Sequence, residues 1–127
     1  MLAGAKLEHL TLPRTFFGRS EISNTSFKDT VLTESTAHWN DFIGVNFGAA
    51  DLSRSDLRAC VFERVRFTGA SLVGADFRYC GFKNCIFTNA DVADAKFTRK
   101  AGMVLKFSEE QMSVIDWQAD DGDEPEG

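Results

Sequence analysis

The chain has little with which to do chemistry. Its 127 residues include two histidines, three cysteines and one tyrosine. His9 and His38 stand in no metal-ligand spacing, and "GASLVG" at 69–74 is followed by Ala75, where a phosphate loop needs Lys and then Ser or Thr. No Gly-x-Ser-x-Gly elbow is present either. No enzyme, cofactor or metal is expected. There is no run of 18 apolar residues, no basic amphipathic helix and no lipidation motif, so no membrane partner is expected. The first twenty residues carry charges where a signal peptide needs an apolar stretch, which points to the cytoplasm. An odd number of cysteines in that setting implies reduced thiols.

Charge of one sign is also missing from most of the chain. The net charge is −5, but five acids (Asp120, Asp121, Asp123, Glu124 and Glu126) lie in the final "DDGDEPEG". Without them 14 acids face 14 Lys and Arg, so residues 1–119 are formally neutral. Residues 119–127 hold no apolar residue beyond Ala119, and composition alone predicts a disordered acidic tail. With a pI near 5.0, direct contact with nucleic acid is not expected.

What the chain does have is a period. From Ile22 to Phe97, sixteen positions five apart read I, F, L, A, F, F, L, L, F, F, L, F, F, F, V, F, and only Ala37 is not large and apolar. Eleven of the twelve phenylalanines, all but Phe16, fall in this register. An amphipathic helix repeats every 3 or 4 residues and a half-buried strand every 2, so neither template fits. A second column two residues earlier is small or medium throughout, and Asp or Asn recurs between the columns in "AADLS", "RSDLR", "GADFR" and "NADVA".

These copies resemble the A(D/N)LXX pattern of the pentapeptide-repeat family over residues 20–99. The resemblance implies an all-β solenoid: a right-handed quadrilateral β-helix with four pentapeptides to a coil. The large residue of each unit and the small one two before it point inward. Five residues then make one side of a square, and residues twenty apart stack at about 4.8 Å. Such coils bury their faces only in series. The expected organisation is a β-helix over 1–107, with an irregular first coil at 1–19 and regular coils at 20–99. Leu2, Leu7, Leu12 and Phe17 keep the register, but Leu10 is large for the small column and Pro13 lacks a ladder donor. After Gly102 the register breaks, and Ser108 with Gln111 forms a capping box that predicts a C-terminal capping helix over 108–118. Met112, Ile115 and Trp117 form its apolar stripe, which either seals the last coil or makes a homodimer, as the C-terminal helix does in the quinolone-resistance proteins that the repeat resembles. Monomer and dimer both stand open.

The three cysteines occupy the inward small column. Cys60 and Cys80, twenty apart, come within disulfide reach, yet Ala, Ser and Val fill the same column elsewhere, so they read as core fillers. Function then falls to the outer faces. One carries Glu34, Asp51, Asp91 and Asp94. The next carries His38, Trp39, Arg58, Arg78, Tyr79 and Arg99, a composition of aromatics and arginine that protein interfaces favour. Trp39 either stands out as an anchor or tucks into a bulge beside Ala37. The reading is a non-enzymatic protein-binding module whose partner is another protein, acting as inhibitor, protector or toxin-neutralising immunity factor. The resemblance also implies an alternative, a DNA mimic that binds a topoisomerase such as DNA gyrase through its acidic face. Against that stand the neutral body, about four regular coils and no loop inserted in residues 20–99.

Overall fold

The computed structural model describes residues 1–119, and the acidic tail expected at 119–127 lies outside them apart from Ala119. Five short parallel strands stack in sequence order: β1 (Leu2–Ala3), β2 (Glu21–Ser23), β3 (Asp41–Ile43), β4 (Val61–Glu63) and β5 (Gly81–Lys83). Each pairs with the next in a register of twenty, as Ile22 with Phe42 and Phe42 with Phe62. Isolated bridges at the same spacing, such as Ser26 to Asn46, Val31 to Asp51 and Thr36 to Asp56, mark the other three sides. The result is a four-sided β-helix. Its first face is centred on Leu2, Ile22, Phe42, Phe62 and Phe82, and its second on Leu7, Phe27, Phe47, Phe67 and Phe87. Leu12, Leu32, Leu52, Leu72 and Val92 centre the third, and Phe17, Ala37, Leu57, Phe77 and Phe97 the fourth.

The hydrogen bonds explain why the repeat is five residues long. In each unit the N–H of the central residue and of the residue two after it donate to the following coil, as from Phe47 to Arg66 and from Ala49 to Thr68. The N–H of the residue before the centre donates the other way, as from Asn46 to Thr25. The residue one after the centre lends the ladder its carbonyl but not its N–H. Its N–H is met instead by the side chain two residues earlier: Asn46 accepts from Gly48 at 2.8 Å, Asp51 from Ser53 at 3.0 Å and Asp76 from Arg78 at 3.1 Å. This is the physical reason for the recurring Asp or Asn, a side chain completing a turn.

It also narrows the expectation of an irregular first coil, which departs from the pattern at its last corner, where Gly18 and not Arg19 takes the left-handed backbone. Pro13 sits at the position whose N–H the ladder does not use, so it costs nothing, and Leu2, Lys6, Thr11 and Phe16 all pair in register with the second coil. Leu10 is accommodated because it is exposed. There are thus five full coils, where about four regular ones were expected.

The core is built from stacked rings. Phe27, Phe47, Phe67 and Phe87 lie 5.3, 5.4 and 4.7 Å apart between centroids, nearly parallel, and Phe42, Phe62 and Phe82 form a second stack at 5.2 and 5.3 Å. The two stacks meet edge to face, Phe62 on Phe67 at 5.5 Å, the arrangement the ring quadrupoles favour. Phe77 is wholly buried, but Phe82, for which full burial follows from the register, is only half-buried because no complete coil covers the first face above it.

One core group is left without a partner. Asn40 is fully buried in the small column, where its Oδ1 accepts from the Ser20 N–H at 2.7 Å while its Nδ2 meets nothing. Thr30, in the same column, uses its hydroxyl twice: it accepts from the Leu10 N–H and donates to the Leu7 carbonyl at 2.6 Å. Asn40→Thr should reproduce that pattern toward Ser20 and Phe17. We expect a gain of about 1 kcal/mol, read as a higher urea midpoint at unchanged slope.

At the C-terminal end, β6 (Lys96–Thr98) is followed by α1 (Arg99–Val104), α2 (Glu109–Val114) and β7 (Asp116–Gln118). The helix expected over 108–118 is therefore shorter. Its capping box forms as read, Ser108 accepting from the Gln111 N–H while Gln111 accepts from the Ser108 N–H. Beyond Val114 the chain reverts to a strand, because β7 pairs with β6 in the twenty-residue register and Trp117 continues the column of Phe97. The unexpected α1 turns the chain over the end of the core. The anticipated stripe divides: Ile115 is buried, Trp117 packs on Phe97 and Phe107, and Met112 is exposed, so the first two seal the coil and Met112 does not.

Candidate functional site

Nearly every corner of the square has a left-handed backbone at the residue two after the centre; the corner after Phe17 has it at Gly18 instead, and Arg99 begins α1. Gly, Asn and Asp tolerate that conformation best, and they hold it at Asn24, Gly44, Gly69 and Gly74, among others. On the fourth face the same corner column reads Arg19, Trp39, Ala59, Tyr79 and Arg99, with Trp39 at φ 61° and Tyr79 at φ 63°. A bulky ring at positive φ costs on the order of 1 kcal/mol and gains nothing locally if it stays in water.

Trp39 does stay in water, 61% exposed. It does not tuck beside Ala37, because that space is already claimed: the Phe17 ring reaches past the missing side chain to lie 6.0 Å from Phe42, one coil and one side further on. The Arg19 guanidinium instead sits 5.5 Å over the indole, held by cation–π attraction. Tyr79 is half-buried under Arg78, 5.9 Å from its ring. Between them in the column stands only Ala59, so two rings about 10 Å apart flank a small residue. Phe16, 76% exposed on the same face, adds a third apolar group. Phe16 and Arg19 were missed in the sequence; Phe16 was legible there as the one phenylalanine outside the core register.

The charged residues beside the rings are bound to one another. Arg58 closes back on Asp56 with Nε and Nη2 both at 2.9 Å, and His38 Nε2 contacts the same carboxylate. Arg78 closes on Asp76 in the same way, its Nη2 at 2.7 Å. Burial works to raise the Asp56 pKa, but the bonds from Arg58 and His38 outweigh it and hold the carboxylate below its ordinary value. Arg58 and Arg78, expected as contact residues, are thus folded onto the turn carboxylates. Arg99 is exposed at the start of α1. The fourth face brings His38, Trp39, Arg58, Arg78 and Tyr79 together and adds a closed charge network with aromatic rings at its corner.

The third face is less acidic than its composition implies. Glu34 is 3.8 Å from Arg54, Asp51 accepts from both the N–H and the hydroxyl of Ser53, and Asp91 accepts from the Ala93 N–H at 3.2 Å. Ser71 stands where the row between Asp51 and Asp91 would need another acid, and Asp94 is exposed.

The thiols are free, and the Cys60 and Cys80 Sγ atoms donate to the Ala37 and Leu57 carbonyls. Burial pushes the Cys60 thiol up to about 12 and raises those of Cys80 and Cys85 as well, so none is a thiolate at neutral pH. Among the described residues no cluster of His, Cys, Asp and Glu has the makings of a metal site, and no helix is long and apolar enough to cross a membrane.

Comparison with known proteins agrees with this geometry. A family profile described as pentapeptide repeats, in eight copies, matches residues 41–78. The chain carries pentapeptide repeats. Among solved structures it is similar to HetL, a pentapeptide-repeat protein involved in heterocyst differentiation regulation in the cyanobacterium Nostoc sp. strain PCC 7120. That match has a TM-score of 0.65 and 17% identity over 71% of this chain and 46% of HetL, so the pentapeptide-repeat chain spans less than half of that relative's length. A pentapeptide-repeat protein from the thylakoid lumen of Arabidopsis thaliana matches with a TM-score of 0.59 and 25% identity over 88% of this chain and 71% of that one. QnrB1, a plasmid-mediated fluoroquinolone resistance protein, aligns at a TM-score of 0.49 and 16% identity over 76% of this chain and 58% of its own. Comparison with curated protein sequences finds no match.

Proposed function

We propose that this protein is a non-enzymatic binding module of the cytoplasm that occupies a surface of another protein through its fourth face, as an inhibitor, protector or immunity factor. The observation that carries the reading is Trp39: a large ring kept in solvent, at a backbone conformation that disfavours it, with the space beneath it already filled. Phe16 and Tyr79 extend the apolar surface, and the His38–Asp56–Arg58 and Asp76–Arg78 pairs supply a polar border whose charges are already satisfied. A partner that covers this face desolvates charges that are already paired, which costs less than burying unpaired ones. The alternative, a gyrase-binding DNA mimic, has weaker support, since the acids of the third face are occupied in turns or paired with Arg54.

The test compares two variants for capture of the protein's partner from cytoplasmic extract, followed by measurement of Kd. Trp39→Ala with Tyr79→Ala should weaken binding by at least ~2 kcal/mol while circular dichroism stays unchanged. Reversal of Asp51, Asp91 and Asp94 to Lys should leave it intact. The opposite pattern, together with inhibition of gyrase supercoiling by the unmodified protein, would move the assignment to the third face.

A further inference from the structure

The C-terminal cap covers the solenoid unevenly. On the fourth face β7 adds a sixth layer above β6, and on the third the Asp94 N–H is met by the Val114 carbonyl. On the second face Gln111 reaches over with its side-chain amide, Nε2 donating to the carbonyls of Phe87 and Ala90. Between β5 and Gln111 no such backbone cover exists among the described residues. β5 is the last strand of its sheet, and the ladder that sends Arg64 N–H to Lys83 and Phe67 N–H to Ile86 sends the N–H groups of Asn84 and Phe87 outward in turn. No acceptor meets them among the described residues, and no donor meets the Cys85 carbonyl, which occupies the place from which Val65 receives Ile86.

This bare edge borders a groove of about 700 Å3 between residues 82–88 and 104–106. Phe82 and Phe87 lie beside it, with Ile86 (45% exposed) and Val104 (66% exposed) as apolar neighbours. Lys83 and Lys106 line it too, both exposed and neither in an ion pair among the described residues. Glu63, the neighbour of Lys83 in the coil below, is bound by Arg64 at 2.7 Å. The groove thus combines unpaired backbone, an apolar lining and uncompensated positive charge.

We propose that this edge is a second docking site, distinct from the Trp39 face, which takes an extended segment of another protein by strand addition. The segment alternates acidic and branched apolar residues. Its backbone pairs with the N–H groups of Asn84 and Phe87 and the carbonyl of Cys85. One set of side chains enters the groove over Phe82 and Phe87, and the acids meet Lys83 and Lys106. Strand addition draws affinity from main-chain bonds and selectivity from alternate side chains, and this edge offers both. The chain's own acidic end, "DDGDEPEG", has no apolar residue with which to fill the groove.

The probe is a short fluorescent peptide alternating Glu with Val, titrated by anisotropy against the full chain. It should bind, and Lys83→Glu with Lys106→Glu, both at exposed positions, should weaken it by about tenfold or more. The same peptide N-methylated on its pairing edge keeps its charge and side chains, and should lose binding to a similar degree. Absence of binding at about 1 mM, or equal binding of the N-methylated peptide, would overturn strand addition. Indifference to the lysine reversals would overturn the acidic partner. Self-association of the unmodified chain that the reversals dissolve would assign the edge to a second copy and overturn the proposal as well.

Discussion

Phe77→Ala is expected to lose about 3–5 kcal/mol of stability, the cost of a large cavity in a close-packed core. Phe77 stacks on Phe97 at 4.7 Å and touches Phe62, Phe67, Phe82 and Phe87 with its edge or tilted face. Alanine already stands on this face at Ala37, but there the ring of Phe17 comes across the gap. No equivalent ring is spare at Phe77, since Phe82 is stacked on Phe62 and Phe97 is packed against Phe107 and Trp117 of the cap. The cavity therefore persists, and a urea melt reads its cost. A loss below about 1 kcal/mol would mean that the stack re-forms around the vacancy.

Gly102→Leu should rank next, with a loss of roughly 2–3 kcal/mol, opposite in sign to what helix propensity predicts. Glycine inside a helix costs about 1 kcal/mol relative to a good helix former, so the change ought to help α1. A Cβ at Gly102, however, would stand 2.6 Å from Trp117 Cη2 and 2.7 Å from Cζ3. The indole cannot swing aside cheaply, being tied through Nε1 to the Met112 carbonyl at 3.1 Å and packed on Phe97 and Phe107. Overpacking must then lift α1 or expel Trp117. In a Trp39→Phe background, where Trp117 is the remaining tryptophan, expulsion appears as a red shift of its emission. A stabilised protein with unshifted emission would show that the cap yields.

Much of the solenoid was legible in the sequence because its period is covalent: a large residue every five positions leaves few backbones able to bury them all. The inward register, the small column and the capping box of Ser108 and Gln111 followed directly. Other features did not. Pro13 read as a fault because the ladder was taken to need every N–H, whereas one position in five is served by a side chain. Trp117 read as part of a helix, since Met112, Ile115 and Trp117 mark an apolar stripe whatever the backbone does, and only its place twenty residues beyond Phe97 marked it as a strand centre. For the site, sequence placed Trp39 and Tyr79 in one column. It could not choose between a tucked and an exposed indole, which depended on how far Phe17 reaches, nor foresee that Arg58 and Arg78 would close on their own turn carboxylates.

The alternation of the ladder has an electrostatic consequence along the whole axis. Two N–H groups of each five-residue unit point toward the C-terminal end and one toward the N-terminal end, while the carbonyls are divided the other way. Parallel strands in an ordinary sheet lay their peptide dipoles across the strand direction and largely cancel them. Here one uncancelled dipole per unit lies along the stack, and the units add. The solenoid is therefore polar like an α-helix but in the reverse sense, with its positive pole at the C-terminal end. That pole coincides with the uncovered N–H groups of Asn84 and Phe87 and with Lys83 and Lys106. An acidic segment is drawn to this end by the backbone as well as by the lysines, and a basic one is turned away.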